Sequence, residues 1–227
     1  MKNSDIRTKA YVLRRTNYAE ADRILNLITP LGKMSVIAKG VRKAKSKFAG
    51  AVEMFCLSEF EIHQGKSEMG VLTGARMINY YNKILADLNK MELASEILRL
   101  VNRYAEGTDS AEYFLIVDET LSAINDGIDL ALIKSWALIN LMKVAGEEIN
   151  LYRDADGEKL LVDERYSYDV NEKAFFKNPN GEYSADEIKI MRLMVASKLA
   201  VVARVKNVGS YAEKVLSLLT GMARYTR

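Results

Sequence analysis

The chain of 227 residues is poor in the groups that build disulfides, metal centres and catalytic machinery: it has one cysteine, one histidine and two prolines. A lone Cys56 cannot close an internal disulfide, and with His63 it falls short of a four-ligand zinc site, so neither a metal nor any other cofactor is expected. With a single imidazole, acid–base chemistry would fall to carboxylates or lysines. There is no Gly-x-x-x-x-Gly-Lys phosphate loop, no Gly-x-Gly-x-x-Gly after a strand, no His-Glu-x-x-His and no Gly-x-Ser-x-Gly. The acidic residues are scattered along helix faces rather than paired at strand ends, which argues against a two-metal nuclease. The expectation is a protein that is not an enzyme. No apolar run approaches the roughly 20 residues that cross a bilayer, and the polar start from Met1 to Ile6 lacks the apolar stretch of a signal peptide. A cytoplasmic location without membrane contact is therefore expected.

What is present is ordinary globular composition, 49% hydrophobic and 28% charged, with length for two modest domains. The net charge of +3 hides an uneven distribution: residues 1–50 hold twelve Lys/Arg against three Asp/Glu, or +9, leaving −6 for the remainder. A basic head on a mildly acidic body points to a polyanionic partner for the head.

From Thr8 to about Tyr80 the apolar residues alternate in short runs. Strands are predicted over Lys9–Arg14, Arg23–Ile28, Lys33–Lys39, Met54–His63 and Met69–Ile78, and Thr29-Pro30-Leu31-Gly32 supplies a turn with a positive-φ position. In the fourth strand Cys56 shares a face with Phe60 and Ile62, while His63 falls on the other with Glu59 and Glu61. Cys56 thus reads as a core thiol. Five strands with a break after the third fit a small closed barrel of the oligonucleotide-binding (OB) type.

Beyond Tyr81 the period becomes helical. Met91 to Tyr104 forms one amphipathic face ending at Gly107, Asp109 with Glu112 is a capping-box start for a second helix broken at Asp126-Gly127, and a third runs through Trp136 to Gly146. The pattern lapses between Glu147 and Gly181, where Leu151–Arg153, Leu160–Val162, Tyr166–Val170 and Ala174–Phe176 read as hairpin strands. Asp154-Ala155-Asp156-Gly157 lacks the carboxylates of a calcium loop and reads as a turn. Ser184 with Glu187 opens a helix to about Val205, and a last helix covers Ser210 to Ala223. The fold class is α+β: an OB-type barrel over 1–80, then a helical bundle over 81–227 with a zinc-less hairpin module inserted at about 147–183.

The candidate site is the basic head. Arg14, Arg15, Arg23, Lys33 and Lys39 fall at strand ends or turns, and Arg42, Lys43, Lys45 and Lys47 crowd the loop after the third strand. Such a set can track a phosphate backbone, with Tyr11, Tyr18 or Phe48 as stacking faces, although Tyr11 and Phe48 read equally well as core packing. Nothing in it has base-reading geometry, so sequence-independent binding follows.

Tyr18-Ala19-Glu20-Ala21-Asp22-Arg23-Ile24, Thr29-Pro30-Leu31-Gly32-Lys33, Ala38-Lys39-Gly40-Val41-Arg42-Lys43, Lys45-Ser46-Lys47-Phe48-Ala49-Gly50 and Phe55 resemble, in order and spacing, the opening of the recombination mediator RecO family. The resemblance implies DNA repair through binding of single- and double-stranded DNA, strand annealing, contact with the tail of the single-strand-binding protein, and action with RecR in loading RecA; RecF is a further partner it suggests. It also implies a nucleoid-associated protein. Many members carry four zinc-ligating cysteines in the inserted module, and Leu151–Phe176 has none. For an acidic, apolar-ended protein tail the available bundle cations are Arg99, Arg103, Lys134 and Lys143. Two readings stay open beside this one, an RNA-binding or ribosome-associated module and a non-catalytic protein adaptor.

Overall fold

The computed structural model describes residues 4–108 and 110–225, with side chains through Met222. The chain divides into two compact units, residues 1–126 and 127–227.

The first unit opens with five strands, β1 (Ser4–Tyr18), β2 (Asp22–Thr29), β3 (Gly32–Ala38), β4 (Cys56–Gln64) and β5 (Gly70–Tyr80), closed into a barrel in the order β1-β2-β3-β5-β4. β1 is long enough to serve two partners: its first half pairs with β4 and its second with β2, and a bulge between Val12 and Arg14 bends it from one to the other. The barrel closes through a short parallel seam, Val36 with Gly70 and Ile37 with Val71. Only glycine fits at the start of β5, because a Cβ on Gly70 would stand 2.6 Å from Ile62 Cγ2. The interior is filled from alternating positions by Ala10, Val12, Leu25, Leu27, Val36, Phe60, Ile62 and Leu72. Cys56 is buried in line with Phe60 and Ile62, as its spacing predicts. The β2–β3 turn is also the expected one: Gly32 has φ 100°, and the buried Thr29 hydroxyl accepts from the Leu31 amide at 3.0 Å and donates to the Gly32 carbonyl at 2.8 Å.

Three helices complete this unit: α1 (Asn82–Leu85), α2 (Leu88–Tyr104) and α3 (Glu112–Asp126). Asp87 caps α2 by accepting from the Lys90 amide at 3.1 Å. Asp109, half of the expected capping box for α3, lies outside the described residues, whereas Ser110 accepts from the Glu112 amide at 3.2 Å. The helices dock on the barrel through a polar seam. The buried Tyr11 hydroxyl pairs with that of Tyr81 at 3.0 Å and donates to the Asp118 carboxylate, and Asn26 donates to Asn102 at 3.2 Å.

The second unit is built on α4 (Leu130–Val144), α5 (Ala185–Ala196), a short α6 (Leu199–Val202) and α7 (Val208–Tyr225), with α4 packed on both α5 and α7. Ser135 donates to the Ala212 carbonyl at 2.9 Å across the α4–α7 contact. The Ser184–Glu187 capping box is present. α5, however, stops at Ala196, well before Val205: Ser197 is extended, and its carbonyl accepts the Trp136 indole N–H at 3.0 Å instead of continuing the helical ladder.

Between α4 and α5 lies a sheet of β6 (Arg165–Asp169), β7 (Ala174–Lys177) and β8 (Tyr183–Ser184) in the order β7-β6-β8. It is held by Phe175, whose ring meets the edges of Tyr166, Tyr168 and Tyr183 at 5.0–6.5 Å. The strands expected at Leu151–Arg153 and Leu160–Val162 do not form; a single bridge joins Arg153 to Lys159. The reason is local. The Asp154 carboxylate accepts from the amides of Asp156 at 3.1 Å and Glu158 at 2.8 Å, fixing a tight turn, and the Leu161 amide is taken by the Tyr166 hydroxyl at 2.7 Å.

Candidate nucleic-acid interface

The segment from Lys39 to Phe55 leaves the end of β3 and returns to β4, and it is anchored rather than loose. Val41 and Val52 are buried in the barrel core and Phe48 packs against it. The Gly40 amide donates to the Asp22 carboxylate at 2.7 Å and the Arg42 amide to the Ala21 carbonyl at 2.9 Å, tying the segment to the β1–β2 turn. Internal turns, Lys43 to Gly40 at 3.1 Å and Ser46 to Lys43 at 2.9 Å, set its path. Between the apolar anchors Arg42, Lys43, Lys45 and Lys47 are all exposed, as is Lys39 just before them. Arg14 is exposed on β1, and among the described residues it, Lys39 and the three loop lysines have no ion-pair partner. Arg42 reaches back to the Ala19 carbonyl at 3.5 Å.

The other predicted cations sit differently. Arg15 pairs with Glu53, and Arg23 lies 3.9 Å from the same carboxylate while its Nε donates to Asn17 at 3.3 Å. Lys33 is drawn inward: its side chain is 10% exposed and its ammonium donates to the Asn102 carbonyl at 2.7 Å and to Glu106. The aromatic candidates divide too. Tyr18 is exposed and Phe48 is half-buried, but Tyr11 is 1% exposed, stacked on Tyr81 and tilted against Phe114, which rules it out as a face for bases. Burial, with the hydrogen bonds to Asp118 and Tyr81, pushes its phenol far above the ordinary range.

Among the bundle cations, Arg99 and Arg103 are exposed on α2 of the first unit, Arg103 lying 5.2 Å over the Tyr104 ring. Lys134 and Lys143 are on α4 of the second. Lys143 lines a cavity of about 360 Å³ with an apolar wall of Ile139, Ile149, Leu151 and Val195. Its second cation is Arg192, which donates to the Leu151 carbonyl at 2.8 Å and lies 4.8 Å over the Tyr152 ring. Sequence reasoning passed over Arg192 and Tyr152, and over Glu53, because each partnership joins residues far apart in the chain with no local pattern to mark it. Among the described residues no group of three or more His, Cys, Asp and Glu is placed to hold a metal, and no helix is long and apolar enough to cross a membrane.

These features define a class, an OB-type barrel with an anchored cationic loop followed by a helical region carrying a small hairpin sheet. The family model described as Recombination protein O N terminal matches residues 1–81, and that described as Recombination protein O C terminal matches residues 85–224. The chain belongs to the RecO family. Similar curated proteins bear the name DNA repair protein RecO: one from Dehalococcoides mccartyi is 32% identical over 168 residues, covering 73% of this chain and 66% of its own. One from Roseiflexus is 30% identical over 156 residues, 68% of this chain and 55% of the relative, and one from Geobacter metallireducens 32% over 149 residues, 64% and 60%. The matches thus span just under two thirds of these relatives, or less.

Proposed function

We propose that this chain is a non-catalytic mediator of DNA repair and recombination that binds single- and double-stranded DNA without sequence preference and anneals complementary strands. The observation that carries the reading is the anchored loop whose exposed cations have no ion-pair partner among the described residues: they are fixed by Val41, Phe48 and Val52 and left free to release counterions from a phosphate backbone. Arg14, Lys39, Arg42, Lys43, Lys45 and Lys47 are the direct phosphate contacts in this reading. The second unit captures the acidic, apolar-ended tail of the single-strand-binding protein, and its cavity has the matching chemistry, aliphatic walls with Lys143 and Arg192 beside them. Acting with RecR and RecF, the protein would then help load RecA on coated DNA.

The test is annealing of complementary oligonucleotides with and without cognate single-strand-binding protein, beside filter binding to matched DNA and RNA. Annealing that persists on coated strands, and is lost there in a Lys143→Ala, Arg192→Ala variant that still anneals naked strands, is the expected result. Absence of annealing, or tighter binding to RNA, would refute the reading.

A further inference from the structure

Arg15 and Asn17 stand two residues apart on β1, and Asn17 faces Arg23 across the β1–β2 pairing. All three therefore share one face of the hairpin. The same face holds Leu25, opposite Arg15, which belongs to the barrel core, so the group lies where the core ends. Into it the basic loop inserts its acidic residue. One Glu53 oxygen takes the Arg15 guanidinium, and the other is 3.9 Å from that of Arg23. The arginine side chains are 27% and 26% exposed, whereas that of Glu53 is 46% exposed. A carboxylate between two guanidinium groups has the charge and geometry of a phosphodiester in the same place.

We infer that Arg15, Arg23 and Asn17 form a phosphate clamp that Glu53 occupies in the free protein, and that a nucleic-acid backbone seated on the neighbouring loop displaces Glu53 to take it. This deepens the proposed DNA binding and rests on it. The half-exposed Glu53 can swing into solvent at little cost, since an exposed ion pair is worth little. A single small anion only exchanges with a carboxylate that is tethered beside the site, but a backbone already held by Lys43, Lys45 and Lys47 presents its next phosphates at high effective concentration. Glu53 thus makes the clamp selective for a polyanion over its monomers.

The experiment compares wild type, E53Q, the R15Q/R23Q double variant and the triple variant, binding a labelled oligothymidylate in fluorescence anisotropy over a salt series, each checked by thermal melting. E53Q is nearly isosteric, and its amide oxygen still accepts from Arg15. It should bind up to about fivefold tighter than wild type, and the same change should give no gain when Arg15 and Arg23 are already glutamine. An equal gain in both backgrounds would reduce Glu53 to a general field effect and overturn the clamp, as would an E53Q affinity equal to wild type. Should any variant fail to fold, the Arg15 and Arg23 Nε–Hε resonances of the wild-type protein decide: they shift on adding the oligonucleotide if the clamp changes occupant, and unchanged signals refute it. Loss of all binding in wild type and E53Q alike would sink the DNA-binding reading itself, whereas binding that ignores Glu53 sinks only the clamp.

Discussion

The first unit treats its cations in two opposite ways. Five strand cations are answered by carboxylates: Arg7 and Arg76 share Glu59, which holds that carboxyl below its ordinary range, Arg15 and Arg23 share Glu53, and Lys33 is drawn to Glu106. On the loop from Lys39 to Lys47 the lysines are answered by nothing among the described residues, although apolar anchors and backbone hydrogen bonds fix the segment. Counting charges therefore measures the available field poorly. What matters is which charges the fold has already spent on itself.

The sharpest way to break this comparison is to remove the loop cations. Changing Arg42, Lys43, Lys45 and Lys47 together to alanine should make the slope of log affinity against log salt shallower by up to about 3 for single strands, at about 0.7 per lost contact, with similar weakening for every oligonucleotide sequence. Stability should move by no more than about 0.5 kcal/mol per site, because these side chains touch solvent. Anisotropy titrations with a parallel melt check both. An unchanged slope in a folded variant would leave the loop a solvated face.

The buried phenols of both units should answer to pH rather than salt. Burial keeps the phenol of Tyr11 protonated far above its ordinary range and pushes those of Tyr168 and Tyr183 up to about 12. In the unfolded chain all three lose their protons from about pH 10. Above that pH the folded state binds more protons than the unfolded state, so stability is full below pH 10 and falls as pH rises toward 12. Melts across this range should show the fall, and Tyr11→Phe should make it shallower. At neutral pH the same variant should lose about 1–3 kcal/mol, because Asp118 and Tyr81 each forfeit a partner.

A smaller effect separates Lys33 from the loop. Lys33→Met should cost about 1–2 kcal/mol by stranding the part-buried Asn102 carbonyl, since the exposed Glu106 is taken over by water, yet leave the salt slope of DNA binding where it was. A slope shallower by about 0.7 would show instead that Lys33 leaves its partners for a phosphate.

The features readable from sequence are those decided within a few residues. The Thr29–Gly32 turn, the inward set of Cys56, Phe60 and Ile62, and the Ser184–Glu187 box each rest on spacing alone, and each stands in the structure. Leu160–Val162 has the composition of a strand but finds no ladder, because the Asp154 turn and the Tyr166 hydroxyl take the neighbouring amides first. Tyr11 reads from the sequence as equally apt for bases and for the core, because the partner that fixes it inside, Asp118, is 107 positions away. Glu53 is the clearest omission, since nothing near it in the chain marks it as the counter-ion of two arginines on another strand pair.

The short parallel seam has one more consequence. It engages β5 only at Gly70 and Val71, so among the described residues no strand pairs with Leu72–Tyr80 on the side away from β4. An open edge of that length invites a strand from another molecule, the first step of aggregation. β5 carries its own protection. Its register with β4 slips twice, leaving Thr73 and Ile78 as extra residues that bend and twist the edge, and Arg76 sets a charge between them. These irregularities make the edge a poor template for a strand from another copy.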